Sequence, residues 1–231
     1  MISISDSDKS YVARSEEYIN NLIEAAKLRQ EFYYGKTDTY LYGAIDKYSI
    51  ANQHVLIMGS NIPWYESICI AFEAASCTTV DYNQLHYDHP KTKTYTVGEF
   101  SSNMYPDVRK VYDRVFSISS FEHDGLGRYG DPLNPDADLD AMKDLLQYTH
   151  PETLLYLAVP VGSDVVVWNS QRIYGSLRLP LLLESWEMID RYVVATTKNF
   201  KHINNSSSSL LVLDLAVKIF LSHSILITNQ C

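Results

Sequence analysis

Apolar and polar positions follow two rhythms along this chain, and the switches between them outline a fold. Over residues 14–34, Ile19, Leu22, Ile23 and Ala26 recur at three- and four-residue spacing with charges between them, which predicts an amphipathic helix. HVLIMGS, 54–60, is a short apolar run ending in Gly-Ser-Asn, the pattern of a buried parallel strand entering a turn. Pro63 sits where a helix in WYESICIAFEAAS would take its first turn, a place that tolerates proline. CTTVDYNQ, 77–84, predicts a second strand closed by Asp81, and KTYTVGEF, 93–100, a third with Glu99 just past its end. YDRVFSISSFEH, 112–123, predicts a fourth strand, and TLLYLAVPVG, 153–162, a nearly all-apolar and therefore central fifth. Between them DLDAMKDLLQ, 138–147, predicts a helix that Asp136 or Asp138 is placed to cap. A helix near Leu179–Glu184 and a strand near 186–196 close the alternation.

Strands alternating with helices imply an α/β fold: a Rossmann-like, mostly parallel sheet with helices on both faces. Residues 1–49 read as an N-terminal helical extension, 50–197 as the Rossmann-like domain and 198–231 as a divergent tail. The tail opens with the polar tract NNSSSS and continues into Leu210–Ile227, which suits either a helix or a strand pair. On this reading the sheet is incomplete at its C-terminal side.

With 231 residues, 46% of them hydrophobic, the chain can build a core without staples. Its three cysteines, Cys69, Cys77 and Cys231, have neither metal-site nor disulfide-framework spacing, so no metal is expected. The net charge of -9 and the lack of a basic run argue against nucleic acid and favour a small-molecule substrate. The N-terminus has no apolar signal core, and Asp214, Lys218 and His223 break the late apolar stretch, so a soluble, cytoplasmic protein without a membrane span is expected. Oligomeric state is not legible.

Chemistry gathers where the predicted strands end. Gly59 precedes Asp81 by about 20 residues, the outline of a nucleoside-binding strand–turn–helix–strand unit. There, free N–H groups at a helix start meet polar ligand groups, and a carboxylate can accept ribose hydroxyls. The loop has one glycine where such loops usually have two or three. SFEHDGLGRYGDPLNPDADLD, 120–140, follows the fourth strand and holds Glu122, His123, Asp124, Arg128 and Tyr129; His123 suits a general base at neutral pH. Asp136, Asp138 and Asp140 equally suit turn and cap roles, and Ala141 and Gln147 exclude a calcium loop. PVGSDVVVWNSQRIYG, 160–175, offers Asp164, Asn169 and Arg172 to grip a hydroxylated or anionic substrate, or else forms a surface hairpin tied by an Asp–Arg pair.

The order VLIMGS, TTVDYNQ, DRVFSISSFEH and LLYLAVPVG resembles the motif series of class I S-adenosylmethionine-dependent methyltransferases. FEHDGLGRYGDPLNPDADLDAM, LAVPVGSD and WNSQRIYG resemble, more closely, the uncharacterised domain of unknown function family 268, over about residues 50–192. The resemblance implies S-adenosylmethionine as cofactor. It puts Gly59 and Ser60 in the cofactor loop, Asp81 at the ribose and Glu99 on the adenine side, and Ser119, Ser120, Phe121, Glu122 and His123 beside the transferred methyl group. Three readings stay open. The first is methyl transfer to a small polar acceptor such as a sugar hydroxyl, with His123 or Glu122 as catalytic base. The second is a non-catalytic module that works through a partner. The third is another Rossmann enzyme, for example one acting on a nucleotide sugar.

Overall fold

The computed structural model describes residues 12–102, 111–194 and 211–219. In chain order these form β1 (Val12–Arg14), α1 (Glu16–Lys27), α2 (Lys36–Lys47), β2 (His54–Met58), α3 (Trp64–Ala71), β3 (Ser76–Asp81), β4 (Leu85–Tyr87), β5 (Thr92–Thr96), α4 (Val97–Ser101) and β6 (Tyr112–Ile118). Then come α5 (Ala137–Asp144), β7 (Thr149–Val161), β8 (Val165–Val167), β9 (Gln171–Ile173), α6 (Arg178–Leu182), β10 (Trp186–Val194) and β11 (Leu211–Ile219). Seven strands make one sheet in the order β10-β11-β7-β6-β2-β3-β5. From β5 through β7 every neighbouring pair is parallel, whereas β11 runs antiparallel to both β7 and β10. Two small pairings, β1 with β4 and β8 with β9, lie outside it.

Strand periodicity sorts the core into two layers. Val55 and Ile57 of β2, Phe116 and Ile118 of β6, and Tyr156 and Ala158 of β7 face one side, under Ala26, Leu41, Ile45, Ile68 and Cys69 of α1–α3. The intervening Leu56, Val115, Leu155, Leu157 and Val159 face the other, under Phe100, Met142 and Leu182 of α4–α6. Both faces of the central strands are buried, which is why they read as unbroken apolar runs. The helices that precede β2 are part of this layering, since α1 packs along α3 and α2 lies against β10 and β11.

Three expectations change. The helix expected over 14–34 stops at Lys27, and Arg29 then adopts a left-handed φ of 55°. Past Ala26 the stripe has no buried successor: Leu28 is 73% exposed. A second helix, α2, begins only at Lys36. The third strand ends at Thr96, whose hydroxyl accepts from Glu99 N while the Glu99 carboxylate accepts from Thr96 N, a capping box that turns the chain into α4.

The sheet is also complete at its C-terminal side. Residues 211–219, expected in a divergent tail, insert between β7 and β10 and satisfy the backbone hydrogen bonds of both. Asp214 and Lys218 interrupt the apolar run that would otherwise have marked a buried strand. Cys231, the NNSSSS tract and residues 220–227 lie outside the described residues. Among the described residues no helix is long and apolar enough to cross a membrane.

Candidate functional site

From β2 the chain steps outward to β3 and β5, then crosses back to β6 on the other flank of β2. The loops leaving β2 and β6 therefore diverge, and a crevice opens between them at the carboxyl ends of the strands. A cavity of about 350 Å³ occupies it, lined by Gly59–Ile62 after β2, Asp81–Asn83 after β3 and Ile118–Ser120, His123 and Asp124 after β6. The α1–α2 connection adds Phe32, Tyr33 and Tyr34, and Trp64, Tyr65 and Tyr129 complete the wall.

The β2 loop is built for close approach. Gly59 has φ +71°, and a Cβ there would lie 2.5 Å from Ser120 Oγ. Only glycine lets the two loops touch at this point. Ser60 N donates to Asp81 Oδ2 over 3.1 Å, and Asn83 N donates to Oδ1 over 2.7 Å, so the carboxylate at the tip of β3 is fixed before any ligand arrives. Beneath the loop, Glu66 of α3 is fully buried. Thr79 Oγ1 donates to its Oε1 over 2.5 Å, and Ser60 Oγ lies 2.9 Å from its Oε2 and 3.0 Å from the Ile62 carbonyl oxygen. The Tyr87 hydroxyl donates to the Ser60 carbonyl. Burial pushes the Glu66 carboxyl up to about 7. One Ser60 proton cannot serve two acceptors; a protonated Glu66 donates to Ser60 Oγ and frees that proton for Ile62.

The β6 loop carries the titratable cluster. Ser119, at φ +52°, turns its hydroxyl to donate to Glu122 Oε1 over 2.6 Å. His123 Nδ1 lies 2.5 Å from the Ser170 carbonyl oxygen. A carbonyl only accepts, so Nδ1 carries the proton and Nε2, 3.7 Å from Glu122 Oε1, keeps its lone pair. Burial holds His123 below its ordinary value and raises Glu122 to about 7. Burial, then Asp131 and Glu122, raise Asp124 to about 8.

The family described as Caenorhabditis protein of unknown function, DUF268, matches residues 52–216. The chain belongs to this family. The match runs past the expected 192 and into β11, in keeping with that strand's place in the sheet. None of the curated proteins matches the chain. Among solved structures, the [4+2]-cyclase SpnF aligns with a TM-score of 0.51 at 13% identity, over 80% of this chain and 77% of its own. Thermoplasma acidophilum 1320 aligns at 0.50 and 10% identity, over 88% and 98%. A SAM-dependent methyltransferase from Leishmania major aligns at 0.49 and 9% identity, over 87% and 82%. Identities this low speak for the fold alone. Five parallel strands extended by an antiparallel pair, with β11 inserted between β7 and β10, give this DUF268 protein a Rossmann-like, mostly parallel sheet.

Of the residues singled out in the DUF268 sequence, Gly59, Ser60, Asp81, Ser119, Ser120, His123, Asp124 and Tyr129 meet at the cavity. Glu122 lies directly behind His123. Five do not line it. Glu99 is held in its capping box. Asp164 accepts from the backbone of Gly175, Leu177 and Arg178 and so opens α6. Asn169, at φ +52°, is the exposed turn of the β8–β9 hairpin. Arg128 is exposed over the Tyr129 ring and reaches Ser170 Oγ at 3.4 Å.

Arg172 is 1% exposed and cannot reach a substrate. It donates to the carbonyls of Asp124, Asn134 and Pro135 and lies 3.4 Å from Asp138, so its partner is not Asp164. Asp138 does not cap α5: it accepts from Tyr174 and Arg178 and is wholly buried. The two long DUF268 motifs are thus one structural clasp that fixes the loop bearing His123. Phe32, Tyr33, Tyr34, Tyr65 and Tyr82 were not anticipated in the site. Their aromatic character suits packing equally well, and only the turn after α1 brings three of them to the cavity.

Two outcomes follow. Arg172→Met leaves buried Asp138 and three carbonyls short of a donor and should destabilise the fold by about 3–5 kcal/mol in denaturant titration. The folded protein keeps the Glu66 proton at pH values where the unfolded chain has lost it, so stability falls as pH rises from the ordinary glutamate range towards 7. Glu66→Gln cannot ionise and can still donate to Ser60; it should exceed the parent in stability at pH 8 and match it at pH 4.

Proposed function

We propose that this protein is an S-adenosylmethionine-dependent methyltransferase that modifies a hydroxyl of a small polar acceptor, such as a sugar. The convergence of Gly59, Asp81 and His123 on one cavity of about 350 Å³ carries this reading. The residues present fit the cofactor. Gly59 lets the β2 loop close against Ser120 at the cavity wall, the Asp81 carboxylate keeps a lone-pair site on Oδ2 for a ribose hydroxyl beside the three bonds it already accepts, and among the described residues no lysine or arginine side chain lines the cavity to repel a sulfonium. When bound, S-adenosylmethionine would supply an electrophilic methyl group and leave as the neutral thioether. His123 Nε2 accepts the proton of the acceptor hydroxyl as its oxygen is alkylated. Glu122, beside that nitrogen, stabilises the imidazolium. Most of the rate then comes from holding acceptor and donor in line.

A second reading, a module that keeps the fold without catalysis, is favoured by the single glycine of the β2 loop and by the three hydrogen bonds that Asp81 already accepts.

Calorimetric titration with S-adenosylhomocysteine separates the two. Saturable binding that weakens at least tenfold in Asp81→Ala and survives in His123→Gln is expected; no binding by well-folded protein overturns the methyltransferase reading in favour of the second. In an NMR titration, His123 should lose its proton below the ordinary histidine value of about 6.5 and carry the neutral-form proton on Nδ1; a higher value, or the Nε2 tautomer, removes it as the base.

A further inference from the structure

Besides the expected cofactor contacts, the cavity has a wall that the methyl-transfer reading leaves unused. Phe32 and Tyr34 come from the α1–α2 connection, ahead of the residues matched by the family model. Phe32 stacks on Trp64 with ring centroids 5.0 Å apart, and its backbone N–H donates to the buried Asp38 carboxylate over 2.6 Å. The segment is therefore pinned at both its ring and its backbone. Tyr34 and Ser119 line the same cavity, which brings this wall to the loop that bears His123. On the far side, Tyr129 meets the His123 ring edge-on with centroids 6.0 Å apart. Among the described residues no guanidinium or ammonium group lines the cavity, while Asp81 and Asp124 do. Arg172, expected from the sequence to grip an anion, is buried and consumed by the clasp.

We propose that the Phe32–Tyr34 segment forms the acceptor side of the cleft and that the acceptor is an uncharged hydroxyl compound with a flat apolar face, without phosphate or carboxylate. Aromatic walls offer stacking area to a planar ring or to the apolar face of a pyranose. A carboxylate or phosphate entering here would be desolvated opposite the acidic side chains of Asp81 and Asp124, with no lysine or arginine among the described lining residues to meet it. The proposal rests on the methyltransferase reading and deepens it.

The test uses the full chain saturated with S-adenosylhomocysteine and two matched pairs of probes: p-cresol with 4-hydroxybenzoate, and methyl β-glucoside with its 6-phosphate. The neutral member of at least one pair should bind five times or more tighter than its anion; which pair responds tells a phenol from a sugar. Phe32→Ala and Tyr34→Phe should weaken that binding at least threefold and leave S-adenosylhomocysteine affinity unchanged. Equal or tighter binding of the anions, no binding of either neutral probe, or a parallel loss of S-adenosylhomocysteine affinity in Phe32→Ala would overturn the proposal. If S-adenosylhomocysteine itself fails to bind, the methyltransferase reading fails first, and the two failures stay distinct.

Discussion

Where Gly59 leaves β2 it must pass against Ser120 leaving β6, and the site depends on that contact. The parallel pairing of β2 with β6 brings the two strand ends together, and the reversal of chain direction across the sheet sends their loops apart. A side chain at 59 would collide with Ser120, so the crevice can start at the sheet edge only because this residue has none. Strain on the other lip, the left-handed Ser119, turns Glu122 and His123 back towards the same opening. Non-glycine residues hold such a conformation only when their surroundings enforce it. Here the Ser119 N–H to Ala158 carbonyl bond and the Ser119–Glu122 bond do so.

Behind the lips stand two buried polar assemblies with different tasks. Glu66, Thr79, Ser60 and Tyr87 brace the β2 loop from below. Asp138, Arg172, Arg178 and Tyr174 clasp the long loop after β6 to the β8–β9 hairpin, which in turn supplies the Ser170 carbonyl that fixes the His123 ring. Buried charge is costly unless paired: Asp138 is paired with Arg172 and Arg178, whereas Glu66 has only hydroxyl partners and burial pushes its carboxyl up to about 7. The densest run of charged and glycine residues in the sequence is largely such a clasp. Gly125, at φ +71° with the Asn134 carbonyl pressed against its α-carbon, belongs to it as well.

Much of this was legible from the chain and some was not. The five parallel strands announce themselves because both faces are buried and the apolar runs are continuous. Gly59, Asp81 and the Ser119–Asp124 segment follow from their places at strand ends. Arg172 and Asp164 misled because a polar residue near a strand end looks the same whether it meets a ligand or ties down a loop; only burial and partners decide. The aromatic wall was hidden because Phe32–Tyr34 lie in what read as the end of one long helix. β11 was ambiguous because its composition suits a helix or a strand, and a distant pairing between β7 and β10 made the choice.

Gly59, Asp81 and His123 frame one cleft at the carboxyl ends of the parallel strands, proposed above as the cofactor site. The most direct measurement is a crystal structure of the full chain grown with S-adenosylhomocysteine. It should place a ribose hydroxyl within hydrogen-bond distance of the Asp81 carboxylate and the sulfur facing the Ser119–His123 loop. A ligand bound elsewhere on the molecule, or one in the cleft with its ribose turned away from Asp81, would contradict that assignment.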